Sequence, residues 1–458
     1  MDSYYYIRAA NENADVNAWP IGYTRFLQLI GLITHSPLFL VIVQYALLQL
    51  ALLTLFFTVR LFFRLGKVAS NVTFVFFFVN PLFLYTANLV MADALFNALS
   101  IWWVVQLLWI IYQPRPYMIL THAVLLILTF TVRYNALYYP VVAALAFLLS
   151  RQRLWLKLAG IVLPALLVIG FISYTSQKME SYCGVRQFSP FGGWKLANDA
   201  LYMYAHVTPA ASDTVPVRFQ VLDRVTRRYF EVSHDPGDLA KPDPFHGSPF
   251  MFDSYLPLMR YMYMTYGRDS AHVFLDFKKW SRMGPLYASY GSYLARRYPF
   301  AFARWFLWPN LQRYAVPPRE IYMTLTPFYL RNDELGPEAT RWFGLTTLMA
   351  RPAYIELRMQ IFSYYPVLFC LVHLCFLLGL LGFLSNKGWS RIGRPYQYCL
   401  LLILFLWLCD LGFSLFAAAI VMRYQIFMVV LELPFSCYFL EYQYRYGRAP
   451  QGPLLPSV

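Results

Sequence analysis

Three ionisable residues stand at the ends of long apolar runs, where a charged side chain is costly unless it has a partner or a task. Asp93 directly follows "NPLFLYTANLVMA", Arg133 directly follows "LLILTFTV", and Arg423 directly follows "LFAAAIVM". A carboxylate can take a proton from a hydroxyl group, and a guanidinium binds phosphate through two parallel hydrogen bonds. The combination predicts chemistry on a phosphate-bearing substrate. Helix capping by Asp93, and contact of the arginines with lipid phosphate, are the simpler alternatives.

Two further carboxylates, Asp2 and Asp15, bracket a polar N-terminal segment that precedes "WPIGYTRFL". Trp19 and Pro20 predict a rigid turn into an interfacial segment. A carboxylate held at a membrane surface is partly desolvated, which tunes its basicity. The alternative is a solvated loop with capping aspartates. Lys195, in "FGGWKLANDALYMYAHV", is a further candidate for binding the substrate.

The composition indicates a membrane protein. Hydrophobic residues make up 59% of the chain and charged residues 13%, and the mean hydropathy is +0.45. Apolar runs of about 20 residues, each long enough to cross hydrocarbon as a helix, recur along the sequence. The net charge of +15 is explained by basic residues that flank spans and contact anionic lipid. A nucleic-acid partner is therefore not expected.

We predict an all-α polytopic membrane protein with about nine spans and one long, mostly helical insertion. The predicted spans are 36–59, 68–90, 94–112, 117–132, 136–150, 154–174, 361–384, 396–420 and 425–441. The corresponding units are an external loop with the catalytic acids (1–35), an N-terminal transmembrane module (36–174), an extracytoplasmic or interfacial insertion (175–360), C-terminal transmembrane helices (361–442) and a cytoplasmic tail (443–458).

The distribution of basic residues in the short connections predicts the orientation. The basic-rich set of connections belongs in the cytoplasm: Arg60, Arg64, Lys67, Arg115, Arg151, Arg153, Lys157, Lys387, Arg391, Arg394, Arg445 and Arg448. The opposite set holds only Arg8, Arg25, Arg133 and Arg423. The N-terminal segment, the Asp93 turn and the insertion then share the external face. An external start without a signal also leads us to expect a further N-terminal span in the native protein.

Two other patterns in the insertion have ordinary explanations. His234, Asp235, Asp238, Asp243 and His246 are irregularly spaced among prolines, which favours a surface loop over a metal site. The stretch from 277 to 318 alternates Lys and Arg with aromatic residues. Beside so many spans, helices in the lipid headgroup layer explain it better than single-stranded nucleic-acid binding.

Four segments in this order resemble the GT-C superfamily of integral-membrane glycosyltransferases, of the aminoarabinose transferase and protein O-mannosyltransferase type. "DSYYYIRAANENADVNAWPIGYTRFL" is similar to the first external loop, and "NPLFLYTANLVMADALF" to the helix and second acidic loop. "VRYNALYYP" and "MRYQIFMVVLELPF" are similar to the arginine-bearing turns that follow.

The resemblance implies transfer of a sugar from a polyprenyl-phosphate donor to a hydroxyl of a glycan, lipid or protein on the extracytoplasmic face of a bacterial inner membrane. It implies that Asp2, or failing that Asp15, is the first-loop catalytic aspartate, with Asp93 as the second acid. Arg133 and Arg423 are the implied contacts to the donor phosphate. No cofactor is expected, and a divalent metal remains open. The alternative function is a transporter or flippase of lipid-linked saccharides, which would bind the phosphate without cleaving the sugar bond.

Overall fold

Helices form the whole of the described architecture. The computed structural model describes residues 2–209, 214–232, 249–252, 254–268, 276–318, 336–344 and 352–446, and no strand occurs among them. The helices of the N-terminal part are α1 (Asp2–Asn11), α2 (Ile21–Gly31), α3 (Pro37–Phe63), α4 (Lys67–Phe78), α5 (Pro81–Ala87), α6 (Asp93–Tyr112), α7 (Met118–Val132), α8 (Tyr139–Leu149) and α9 (Leu154–Cys183).

The remaining helices form the insertion and the C-terminal bundle. The insertion contains α10 (Pro190–Tyr204), α11 (Gln220–Val232), α12 (Pro257–Tyr266), α13 (Phe277–Arg297), α14 (Pro299–Phe302), α15 (Trp308–Ala315), α16 (Gly336–Phe343) and the start of α17 (Pro352–Phe362). The C-terminal bundle contains α18 (Tyr365–Ser385), α19 (Gly388–Arg391), α20 (Arg394–Ala417) and α21 (Met422–Tyr446).

Seven helical segments among the described residues are long and apolar enough to cross a membrane: Pro37–Phe63, Lys67–Ala87, Asp93–Tyr112, Leu154–Cys183, Glu356–Ser385, Arg394–Ala417 and Met422–Arg445. Two shorter apolar helices, Met118–Val132 and Tyr134–Leu149, lie beside them. The predicted all-α polytopic membrane class is thereby confirmed. The count of nine spans stays a prediction, because the two shorter helices fall below the length of a full span.

Two of these segments lie at the centre of the bundle. In the most apolar window, 72% of the α6 segment and 78% of the α21 segment are buried by other helices, against 17% for α9. Exposed apolar side chains such as Phe57 on α3 and Leu378 on α18 give the outer helices a lipid-facing surface. Asp93 begins one central helix and Arg423 stands in the first turn of the other, so both functional candidates are on the most enclosed elements.

A helix break at Asn80–Pro81 separates α4 from α5, the short helix that precedes Asp93. Helix α4 ends at Phe78, and the Asn80 side chain accepts a hydrogen bond from the backbone N–H of Leu82 to cap α5. Proline at the first helical position needs no backbone donor, so α5 starts there at little cost. An asparagine–proline pair in an apolar run predicts a helix break or kink at this point, and the break between α4 and α5 confirms it.

The N-terminal segment, predicted as an external loop, contains two helices, and its external location stays a prediction. Residues 2–11 form α1, and residues 21–31 form α2. Tyr5, Tyr6 and Ile7 are buried against the rest of the protein. Burial of these apolar side chains stabilises a short helix that its own propensity would leave marginal. Only residues 12–20, around Trp19 and Pro20, form the turn that the sequence predicts.

The insertion has a hydrophobic core of its own, built mainly from α10 and α13. Trp194 and Trp280 stack with ring centroids 5.0 Å apart, and the Trp194 indole N–H donates to the Trp280 carbonyl oxygen at 2.8 Å. Gly193 allows the two helices to approach closely, because a Cβ at this position would collide with the Gly284 carbonyl. The core also takes up Tyr5 and Ala18 from the N-terminal segment. The insertion thus helps to hold α1 against the membrane module.

Candidate functional site

A cavity of about 150 Å³ opens where the N-terminal segment, the membrane helices and the insertion meet. Its lining comes from α1 and the Trp19–Pro20 turn, from the start of α6, from the segment after α7, from the start of α10 and from the α20–α21 connection. The structure therefore brings together five parts of the chain that are far apart in sequence. Asp93, Arg133 and Arg423 all line this cavity.

The charged wall of the cavity is one aspartate shared by two arginines. Arg133 Nη1 forms an ion pair with Asp93 Oδ1, and Arg423 Nη1 lies 3.5 Å from Asp93 Oδ2. The side chains are 5% exposed for Asp93, 16% for Arg133 and 14% for Arg423. Among the side chains that the structure describes at this wall, two cations face one anion, which gives a net charge of +1 in a poorly solvated place. An anion that enters the cavity would balance this charge.

Aromatic rings pack against the two guanidinium groups. The Tyr424 ring lies 5.1 Å from the Arg133 guanidinium carbon and 5.2 Å from that of Arg423. Phe96, one turn after Asp93, lies 5.5 Å from Arg133. Cation–π contacts stabilise a cation without consuming its hydrogen-bond donors. The rings therefore add to the stabilisation of both guanidinium groups at the cavity wall.

Gln44 positions the turn that carries Asp93. This buried residue of α3 donates through Nε2 to the carbonyl oxygens of Ala87 at 2.7 Å and Leu89 at 3.2 Å. Its Oε1 accepts from the Tyr23 hydroxyl at 2.7 Å, which ties α2 to the same turn. A buried side-chain amide whose nitrogen and oxygen are both hydrogen-bonded restricts the backbone around it. The turn between α5 and α6 is therefore held on two sides.

Asn310 has the same role for the connection that carries Arg423. Its Nδ2 donates to the carbonyl oxygens of Leu415 at 3.1 Å and Ala418 at 2.7 Å, near the end of α20. Its Oδ1 accepts the backbone N–H of Ile420 at 2.9 Å. One side chain of the insertion thus satisfies free groups at a helix end and fixes the path to α21.

Aromatic side chains form another part of the cavity lining. Trp19 and Phe191 meet edge to face with centroids 4.6 Å apart, and Tyr6 lines the same cavity. The Asn17 side chain holds the turn before Trp19 by donating to the Tyr5 carbonyl oxygen at 3.0 Å. Rings of this kind present apolar faces on which the C–H groups of a sugar or a lipid chain can pack. The cavity lining therefore combines cationic and aromatic side chains.

The other acidic candidates occupy different positions. Asp2 begins α1, the helix that brings Tyr6 to the cavity, and its side chain lies outside the described part of the structure. Asp15 is 46% exposed and pairs with Lys178 Nζ at 2.7 Å and Arg25 Nη2 at 3.3 Å. The hydrogen bond from Lys178 lowers the pKa of Asp15. Asp15 does not line the cavity.

We expect Asp15→Asn to leave any reaction in the cavity at its normal rate. The Asp15 carboxylate is solvated and already paired, and exposed ion pairs contribute little to stability. A turnover assay on the purified variant, with unfolding followed in parallel, tests this expectation. A rate lowered tenfold or more in a folded Asp15→Asn variant would place Asp15 in the reaction.

Lys195 is enclosed in the insertion and has a partner there. Its Nζ lies 3.5 Å from Asp199 Oδ1, with 5% and 1% of the two side chains exposed. Burial lowers the pKa of Lys195 and raises that of Asp199 to about 6. Lys195 does not line the cavity, although Phe191, one turn earlier in α10, does. The structure therefore separates Lys195 from the two arginines.

Sequence reasoning passed over Gln44, Asn310 and Tyr424. Gln44 is one of two glutamines inside the apolar run of α3, and this is a usable signal, because a polar side chain in such a run needs a partner. Tyr424 directly follows Arg423 in the sequence, but this position alone does not indicate a role for Tyr424. Asn310 carries no local signal.

Comparison of the chain with protein families, with curated proteins and with solved structures found no match.

Proposed function

We propose that the protein is a membrane glycosyltransferase that moves a sugar from a polyprenyl-phosphate donor to an acceptor hydroxyl. The observation that carries the proposal is the pair of arginines sharing Asp93 at the wall of the cavity. Their excess positive charge suits the single negative charge of a phosphodiester. The aromatic side chains of the same cavity suit the sugar ring next to that phosphate.

The membrane setting supports a donor with a lipid tail. Part of the cavity lining comes from α20, which is long and apolar enough to cross a membrane. Leu408 and Phe416 of the same helix are exposed, so an apolar surface continues outward from the cavity. A soluble nucleotide-sugar donor would have no use for this surface. The resemblance of the four cavity-forming segments to GT-C transferases points the same way.

The proposed reaction is a direct displacement at the anomeric carbon. The acceptor oxygen forms a bond to that carbon while the bond from the carbon to the phosphate oxygen breaks. The electron pair stays on the phosphate, where Arg133 and Arg423 stabilise the added charge. The acceptor proton passes to a carboxylate. A phosphate leaving group needs no general acid, so one carboxylate is enough.

Asp93 is better suited to hold the arginines than to act as the base. Each of its two carboxylate oxygens faces a guanidinium group, so both oxygens are already engaged in ion pairs. We therefore assign Asp93 as a positioning residue. Asp2 becomes the proposed base, because α1 reaches the cavity at Tyr6 and Asp15 is engaged elsewhere.

The proposal is tested by incubating the purified protein with a panel of polyprenyl-phosphate sugars and candidate acceptors. Release of polyprenyl phosphate that depends on the acceptor is the expected result. Binding of the donor without any release, combined with its movement across reconstituted vesicles, would overturn the transferase proposal in favour of a lipid-linked saccharide transporter.

We expect Arg423→Ala to weaken donor binding while the protein stays folded. Arg133 still neutralises Asp93 in this variant, whereas one charged hydrogen bond to the donor phosphate is lost. Such a bond contributes about 1.5–3 kcal/mol, or roughly 10- to 150-fold in Kd. Calorimetric titration with a short-chain polyprenyl-phosphate sugar measures the change.

Arg60→Ala is the matched control for this variant. Arg60 is an exposed arginine in the last turn of α3, and it does not line the cavity. Donor binding should be unchanged in the control. Equal affinity of Arg423→Ala and wild type would remove Arg423 from the donor site.

A further inference from the structure

A second polar cluster lies inside the membrane-spanning part of the chain. It contains Asp410 of α20, His373 of α18 and Glu432 of α21, and these residues are 7%, 5% and 0% exposed. His373 Nδ1 lies 2.6 Å from Glu432 Oε2. No residue of this cluster lines the cavity or enters the proposed transfer reaction. Ionisable groups at such a depth are expensive, and a function is the usual reason for them.

Two tyrosines join the cluster into one network. The Tyr138 hydroxyl donates to Asp410 Oδ1 at 2.9 Å, and the Tyr314 hydroxyl donates to Asp410 Oδ2 at 3.1 Å. The Tyr314 ring lies 5.4 Å from the His373 ring, measured between centroids. The aspartate and the histidine–glutamate pair therefore share a neighbour and form a single electrostatic unit.

Two buried polar atoms of the His373–Glu432 pair take no part in the hydrogen bond between these residues. Glu432 Oε1 and His373 Nε2 have no hydrogen-bond partner of normal geometry among the described residues, although the Trp407 indole lies close to the carboxylate. A buried carboxylate oxygen without a donor loses its hydration with nothing in return. Binding a proton removes most of that cost, because the neutral acid is far easier to bury than the anion.

The charges of the cluster require bound protons. Within the described part of the chain, no lysine or arginine forms an ion pair with Asp410 or Glu432, and the other titratable neighbours are Tyr138, Tyr314 and Cys409. With both carboxylates ionised and the imidazole neutral, the cluster carries two uncompensated negative charges in a low-dielectric region. Two exchangeable protons bring it to neutrality. One of the three groups is then still free to accept a proton.

The cluster is also connected to the cavity. Phe413 and Ser414, which line the cavity, lie one helical turn after Asp410 in α20. Tyr134 and Asn135, which also line it, lie about one turn before Tyr138 in a 3-10 helix. The hydrogen bond from Tyr138 to Asp410 thus spans the two segments that lead from the cavity into the membrane interior.

We propose that Asp410, His373 and Glu432 form an intramembrane proton-binding site, in which two exchangeable protons are shared among three groups and exchanged with the cavity through Tyr138. Protons fit the donor set better than a metal ion, because no group of three or more His, Cys, Asp or Glu among the described residues is placed to hold one. The site does not depend on the proposed transfer reaction.

Infrared spectroscopy of the protein in lipid nanodiscs at neutral pH tests the proposal. Any distribution of two protons over these three groups leaves at least one carboxyl group protonated. The wild-type protein should therefore show the carbonyl stretch of a protonated carboxyl group, shifted by exchange into D2O. The absence of such a band from the wild type would overturn the proposal whether or not the variants fold.

Variants assign the band. Asp410→Asn or Glu432→Gln should abolish or shift it, whereas Asp199→Asn, which removes a buried carboxyl group outside the cluster, should leave it in place. A band lost only in Asp199→Asn would overturn the assignment. Loss of the wild-type band on adding sodium ions would show that a monovalent cation, not a proton, occupies the site.

The connection to the cavity has its own measurement. Tyr138→Phe removes the hydroxyl and keeps the ring, so deuterium exchange of the band should become slower in this variant. Deuterium exchange at the wild-type rate in Tyr138→Phe would show that protons do not pass between the cluster and the cavity through Tyr138.

Discussion

Asp2→Asn is expected to lower the rate of sugar transfer by roughly 10²–10⁴-fold, the usual scale for loss of a general base. An amide cannot take the proton of the acceptor hydroxyl, although it fills nearly the same space. Donor binding should survive, because the phosphate contacts are assigned to the arginines. Single-turnover rates and donor Kd values, measured on the same purified variant, separate the two effects.

Asp15→Asn is the matched control for this prediction, since it removes an exposed acid from the same N-terminal region. A normal transfer rate in folded Asp2→Asn would move the base to another residue. Normal rates in the Asn variants at positions 2, 15 and 93 together would contradict the carboxylate mechanism. The transporter alternative would then take its place.

Asp93→Asn is expected to destabilise the protein by about 3–5 kcal/mol, the range for breaking a buried ion pair by removing one partner. The variant leaves Arg133 and Arg423 facing each other in a poorly solvated wall, and their net charge rises from +1 to +2. The free energy of unfolding in mixed micelles measures the loss.

A second substitution identifies the cause of this destabilisation. Arg133→Gln in the Asp93→Asn background restores the net charge of the wall to +1. The double variant should therefore be more stable than Asp93→Asn alone, which is a coupling that contacting residues show and independent sites do not. If the losses of unfolding free energy in the single variants simply add in the double variant, Asp93 contributes to stability through its helix and not through its ion pairs with the arginines.

Local patterns were enough for several features of the architecture. The apolar runs predicted the membrane class, and the Asn80–Pro81 pair predicted the break before Asp93. The N-terminal segment was predicted less well. Its helices α1 and α2 depend on the packing of Tyr6 against Tyr23 and on contacts with later elements, such as the hydrogen bond from Tyr23 to Gln44, and composition does not report such contacts.

For the site, the sequence by itself determined which residues needed an explanation. Asp93, Arg133 and Arg423 interrupt apolar runs, and the cost of burying a charge is a local property of each position. Only the tertiary structure decided how those costs are met. Asp93 and Arg133 are 40 residues apart in sequence, yet they share a cavity wall with Arg423, whereas Lys195 is paired with Asp199 within its own helix. An ion pair requires approach to within a few ångströms, and packing of distant helices sets that distance.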